Sequence, residues 1–320
     1  MAHLNLRSDE QHSAPVAPAV ERSVPQRYGF AGHETFPFRY GWLTKAVAGV
    51  REDPLIFTRE AAIVRLGVGK NMVASIRHWG LATRLLAEQG TGGLTVTPLG
   101  ALLLEQGDPF LEDPASLWII HWLLATNPSR AATWWLALAR YPQPDFTKTR
   151  LVRYIVEFAE RHGLRVKEST VIRDVDCFVR TYLPSRTASK RLIEDSFDCP
   201  LVELGLIQPT PDGEHFQFNI GPKPGLPAAV VAFALCEYWA RTRPERQTLA
   251  FNDALYGEAS PGQVFKLDEN TLMAYAEAWP ELTDGRLQLD ETAGLKQFYR
   301  SAPIDAMELL ARYYADRSIA

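Results

Sequence analysis

Residues 58–86 read TREAAIVRLGVGKNMVASIRHWGLATRLL, and after a glycine-rich break residues 94–104 read LTVTPLGALLL. Thr58 is a suitable N-cap for a helix over 59–66, with Glu60 in its first turn. Gly67 and Gly69 then supply a tight turn, and a second helix starts near Lys70. At 100° per residue, Met72, Ile76 and Trp79 fall on one side of that helix. Lys70, Ala74 and Arg77 fall opposite, with Asn71 and His78 on the flank. Gly80 weakens the helix beyond Trp79. Leu94–Thr97 reads as a short strand, and Thr97-Pro98 is a strong helix start, with Thr as cap and Pro at the first helical position. Helix, turn, helix, strand and helix in this order and spacing predict a winged helix-turn-helix, a motif whose second helix commonly lies on DNA.

The residue types on this motif fit such a surface. Between residues 58 and 86, Arg59, Arg65, Lys70, Arg77 and Arg84 face the single acid Glu60. Lys and Arg neutralise phosphates, while Asn71, Ser75 and Arg77 are types that reach base edges. The expected DNA-contacting set is Arg59, Lys70, Asn71, Ser75, Arg77, His78 and Arg84. A solvated basic face on a protein-binding winged helix is the competing reading.

The chain has 320 residues, enough for two or three packed domains. It carries no run of 18 apolar residues and no secretory h-region at its start, which predicts a cytoplasmic protein outside any membrane. Cys177, Cys199 and Cys236 are too few and too scattered for a disulfide framework or a zinc site. The net charge of −4 is unevenly spread. Residues 1–193 hold 24 Lys and Arg against 18 Asp and Glu, and residues 194–320 hold 10 against 20. Such asymmetry suggests an anion for the first half and a different partner for the second.

Outward from the motif, residues 1–27 are polar, aperiodic and rich in Pro and Ala, the composition of a disordered tail. A first domain is expected over 28–110 and a helical middle domain over 111–221. The Pro/Gly segment Gly221–Pro227 then marks the start of a last domain over 222–320. In the middle region, SLWIIHWLLAT and TWWLALARY predict two buried helices split at Asn127-Pro128. Leu151, Tyr154, Ile155 and Phe158 give an amphipathic helix over 146–162. Val171, Val175, Phe178 and Tyr182 give another, with Thr170 as its cap, and a short helix is expected through 189–197. Asp212-Gly213 sits where a hairpin should turn. The order after residue 250 suggests a degenerate second winged-helix unit. The fold class is therefore mainly α with short β hairpins, an α+β chain of winged-helix units around a helical middle.

The chain has no P-loop, no Gly-x-Ser-x-Gly and no HExxH. What remains for chemistry is a group of carboxylates: Asp174, Asp176, Glu194, Asp195, Asp198 and Glu203. Phosphodiester hydrolysis commonly gathers two or three carboxylates around Mg²⁺ or Mn²⁺. Asp174, Glu194 and Asp195 are the catalytic candidates, with Asp174 and Glu194 as metal ligands. Asp176–Arg180 and a capping Asp195 are also readable as surface structure. His33, Glu34, Arg39 and Lys45 form an accessory group, whose His-Glu pair either does general-base work, binds a metal or orders the loop opening the first domain.

Six stretches, GHETFPFRYGWLTKA (32–46), LGVGKNMVASIRHW (66–79), LTVTPLG (94–100), EDSFDCPLVELGLI (194–207), GLPAAVVAFALCEYW (225–239) and SPGQVFKLDENTL (260–272), resemble the bacterial family of domain of unknown function 4007. The resemblance is collinear from Tyr28 onward. It implies a DNA-nicking role in Ssp-type DNA phosphorothioation, in which sulfur replaces a backbone oxygen for antiphage defence. It also implies partners: double-stranded DNA, a cysteine desulfurase, an ATPase and a reductase-like adenylating protein. It carries over no residue-level signature for cleavage. A non-enzymatic DNA-recognition adaptor or regulator is the alternative, and a homodimer would suit a unit that spans a duplex.

Overall fold

The computed structural model describes residues 27–90, 92–184, 199–292 and 294–317. The chain is α+β: helices dominate, and the strands form three small antiparallel sheets.

The first unit opens with α1 (Trp42–Glu52), followed by a 3₁₀ turn at Ile56–Thr58, α2 (Ala62–Leu66) and α3 (Lys70–Ala82). Strands β1 (Leu86–Glu88) and β2 (Leu94–Val96) then pair, Leu86 opposite Val96. Gly67 turns the chain between α2 and α3 in the left-handed region, at φ 64°. Thr58 does not cap a helix over 59–66. Its hydroxyl instead donates to the Leu55 carbonyl, and α2 begins only at Ala62, after the 3₁₀ turn. Thr97 caps α4 (Pro98–Ala101) as expected, accepting the Gly100 N–H at 3.0 Å. α4 widens into a π-helical turn over Leu102–Gly107.

At the centre is α5 (Pro114–Ala125). Every residue from Ala115 to Ala125 is buried, so the helix is apolar all round rather than striped. Burying each of its large apolar side chains contributes about 1.5–3 kcal/mol. Asp113 caps it, accepting from the Ala115 N–H. α6 (Ala132–Trp135) runs on into a second π segment, Leu136–Arg140, giving the second of the two expected buried helices.

Two further units repeat one topology. After α6 come β3 (Asp145–Thr147), α7 (Lys148–Arg161), α8 (Glu168–Tyr182), β4 (Ile207–Pro209) and β5 (His215–Phe218). Their sheet order is β3-β5-β4. After α9 (Ala228–Thr242) come β6 (Thr248–Ala250), four short helices, β7 (Leu287–Thr292) and β8 (Leu295–Arg300), in the order β6-β8-β7. The four helices are α10 (Phe251–Tyr256), α11 (Pro261–Phe265), α12 (Glu269–Glu277) and α13 (Trp279–Leu282). In both sheets the last strand lies between the other two. The first unit keeps this plan with a single bond in place of a strand: Leu94 N–H donates to the Pro54 carbonyl at 2.8 Å. α14 (Ala306–Arg317) closes the described chain against α9.

The amphipathic readings of α7 and α8 hold. Leu151, Ile155 and Phe158 are buried with Tyr154 half-buried beside them, and Val171, Val175, Phe178 and Tyr182 are buried. α8 starts earlier than Thr170, with Lys167 at its N-cap and no side-chain cap bond. The expected helix at 189–197 lies outside the described residues. One connected apolar cluster runs from Phe38 to Tyr314, and Trp79, Trp118, Trp122, Trp134, Trp239 and Trp279 are among its largest members. Among the described residues no helix is long and apolar enough to cross a membrane.

Candidate nucleic-acid interface

The N-terminal half of α3 faces solvent at Lys70, Asn71 and Ala74, with Arg77 half-buried. Its C-terminal half, from His78 to Ala82, is buried. Two of the expected DNA contacts therefore point inward. Ser75 is fully buried and its hydroxyl donates to the His33 carbonyl at 2.9 Å. His78 packs edge-on to Trp79 and His33. The helical phase places His78 on the flank without the loop at 28–36, which covers that face, and Ser75, a residue type able to reach a base edge, lies beneath the same loop.

The remaining basic groups are largely paired. Arg59 meets Asp53 at 3.2 Å, and Arg65 meets both Asp53 and Glu52. Arg84 meets Glu237 of α9 and donates to Thr126. Arg77 meets Glu88 at 3.1 Å, and Arg130 meets the other oxygen of Glu88 at 2.7 Å. Lys45 donates to the Leu66 carbonyl and so closes α2 rather than a site. Arg39 lies over the Trp42 ring, and Glu34 is exposed.

The loop at 28–36 is held by Asp174. Both Asp174 oxygens accept from the Ala31 N–H, Oδ1 accepts from His33 Nε2 at 3.0 Å, and Oδ2 accepts from Thr133 Oγ1 at 3.1 Å. His33 Nδ1 accepts the Thr35 N–H, which places its proton on Nε2. Ala31, Glu34 and Thr35 all sit at positive φ, an arrangement that persists only when neighbours impose it. Gly32 is at φ 93°, and a Cβ there would stand 2.6 Å from His78 Nδ1. Arg180 of α8 donates to the Thr35 carbonyl and Trp79 Nε1 to that of Phe36.

This geometry revises the reading of Asp174. It stands 2% exposed among protein donors, with both oxygens engaged. Of the accessory group, His33 joins Asp174, whereas Glu34, Arg39 and Lys45 do not. Glu194 and Asp195 lie outside the described residues. No group of three or more His, Cys, Asp or Glu side chains that could hold a metal ion occurs among the described residues. Cys177, Cys199 and Cys236 form no disulfide, and burial pushes the Cys236 thiol up to about 12. Arg130 and Glu88 went unread in the sequence. Arg130 follows an Asn-Pro-Ser turn that gives no hint of α3 as its neighbour.

Comparison with solved structures finds two crystal structures of SspB, one of them described as magnesium ion-bound. Each is 32% identical to this chain at a TM-score of 0.81, covering 90% of this chain and 88% of the other. A search of curated protein sequences gives no match. The family model for the protein of unknown function DUF4007 matches residues 30–314, and the chain belongs to that family.

Proposed function

We propose that this chain docks on duplex DNA and nicks one strand, so that partner proteins can place sulfur in the DNA backbone for antiphage defence. The observation that carries this reading is the likeness to SspB along 90% of the chain, given the phosphorothioation role its family resemblance implies. The docking element is a winged helix-turn-helix. α2 and α3 are its helix pair, the β1–β2 hairpin is its wing, and Lys70, Asn71 and the outer edge of Arg77 are its contacts. In such units the N-terminal residues of the second helix meet the bases, and that half of α3 is the exposed one. The acidic second half of the chain is left for the desulfurase, ATPase and adenylating partners.

One observation favours the alternative, a non-enzymatic adaptor. Asp174 is committed to the loop at 28–36. The cleavage reading therefore falls on Glu194 and Asp195. Incubating supercoiled plasmid with the purified chain and Mg²⁺ or Mn²⁺ separates the two. Relaxed circles that vanish in Glu194→Ala or Asp195→Ala support nicking. A mobility shift of duplex DNA without relaxed circles supports the adaptor, and no shift at all removes the DNA reading.

A further inference from the structure

Four arginines of the first unit, Arg51, Arg59, Arg65 and Arg84, meet carboxylates in matching number. Arg59 and Arg65 face Asp53 and Glu52, Arg51 faces Glu105, and Arg84 faces Glu237. Arg77 and Arg130, by contrast, share the single carboxylate of Glu88, each taking a different oxygen. The trio is open to solvent, with side chains 36%, 30% and 51% exposed for Arg77, Arg130 and Glu88.

Both guanidiniums stand on fixed supports. Arg77 projects from α3. Arg130 sits in the turn between α5 and α6, which Asn127 ties to the end of α3 by donating to the Leu81 and Ala82 carbonyls. Gly29 locks the same turn from the other side, donating to the Pro128 carbonyl and accepting from Ala132. Glu88 ends β1, where the hairpin turns through Gln89, Gly90 and Gly92. The two arginines are therefore preorganised, and the carboxylate comes from the turning end of the hairpin.

A phosphodiester offers the same chemistry as that carboxylate: one negative charge and two unshared oxygens, one for each guanidinium. We propose that Arg77 and Arg130 form a clamp for one backbone phosphate of DNA, occupied in the free protein by Glu88 as an internal stand-in. The proposal rests on the DNA-docking reading and adds Arg130 and Glu88 to it. Beside the pair, His78 keeps a buried Nε2 without a hydrogen-bond partner among the described residues. Its imidazole lies within electrostatic reach of both guanidiniums.

Binding of a fluorescent duplex across a salt series tests the clamp in the full-length chain, with the thermal midpoint of each variant measured alongside. Glu88→Gln frees the guanidiniums, so binding at low salt tightens several-fold. The slope of log affinity on log salt also steepens by about one. Arg130→Ala weakens binding to all sequences alike and flattens that slope by about one, while Arg130→Lys retains most of the affinity. Unchanged or weaker binding by folded Glu88→Gln overturns the clamp, and so does unchanged binding by Arg130→Ala. If Arg130→Ala does not fold, Glu88→Gln decides.

Titration with inorganic pyrophosphate separates the clamp from the DNA reading. Wild-type protein that binds no duplex removes the DNA reading. Pyrophosphate binding that Glu88→Gln strengthens and Arg130→Ala abolishes would still establish the anion site. Duplex binding that neither variant alters removes the clamp alone, and loss of both probes removes both.

Discussion

His33 Nε2 donates to Asp174 Oδ1 at 3.0 Å across 141 residues of chain. The bond joins a loop with three non-glycine residues at positive φ to the middle of α8. Asp174→Ala removes the acceptor for Ala31, His33 and Thr133 together, and should cost about 2–4 kcal/mol of unfolding free energy in urea. Asp174→Asn puts an amide donor where two donors already point, and should cost about 1–3 kcal/mol. Wild-type stability together with a loss of plasmid nicking would return Asp174 to a catalytic role.

Acid should weaken the fold before its carboxylates titrate. Burial above all, with the charges of Arg130 and Arg77 beside it, pushes the His78 imidazole down to about 3. Burial pushes His121 down to about 4, even though its Nε2 donates to the Val264 carbonyl. Unfolded imidazoles bind protons near pH 6.5. Below that pH the unfolded chain holds more protons than the native one, so stability falls with falling pH. The limiting slope is about 1.4 kcal/mol per pH unit for each histidine. Urea midpoints at pH 7, 6 and 5 should decline, and His78→Asn should remove part of the decline. A flat profile would show that neither ring is held neutral.

The alkaline side carries the same sign from a different group. Burial, and then the charge of Lys223, pushes the Lys266 ammonium down to about 7. Its Nζ donates to the Leu138 carbonyl at 2.8 Å and stands 4.4 Å from the Phe218 ring centre. An unfolded lysine keeps its proton to about pH 10.4, so between pH 7 and that value stability rises as pH rises. Lys266→Met should flatten this rise, at the expense of an unsatisfied Leu138 carbonyl. Unfolding free energies at pH 7, 8 and 9 measure it, and an unchanged slope in the variant would remove Lys266 as its source.

On α3, Lys70→Ala combined with Asn71→Ala should weaken duplex binding and lower the salt slope by about one, the share of the single charge removed. Thermal stability should stay within about 0.5 kcal/mol of wild type, since both residues are exposed and make no ion pair with the described residues. Binding that survives the double substitution would move the DNA surface off this helix.

Local signals were legible in the sequence. Thr97 caps α4, Asp212-Gly213 turns the β4–β5 hairpin, and the stripes of α7 and α8 are buried as spaced. Each of these is decided within a few residues. What the sequence hid depends on distant partners. Ser75 and His78 turn inward because a loop forty residues earlier lies over them. Arg59, Arg65 and Arg84 look like free cations until Asp53, Glu52 and Glu237 arrive beside them. Strands β3 and β6 are three residues each, too short for an alternating pattern to register. For the candidate site, the exposed start of α3 was readable, whereas Arg130 was not.

The bond from Lys266 to Leu138 also ties the middle of the chain to a segment made late in synthesis. The carbonyls at the end of the second π segment take their partners from far downstream: Leu138 from Lys266, 128 residues on, and Ala139 from the Ala259 N–H. His121, in the central helix, waits for Val264. As the chain leaves the ribosome, its middle helices can collapse but cannot close until the segment around residues 259–266 has been made. Ribosome-bound intermediates should therefore stay protease-sensitive at α5 and α6 until late in synthesis. Cleavage within Gly221–Pro227 should free no piece able to refold alone.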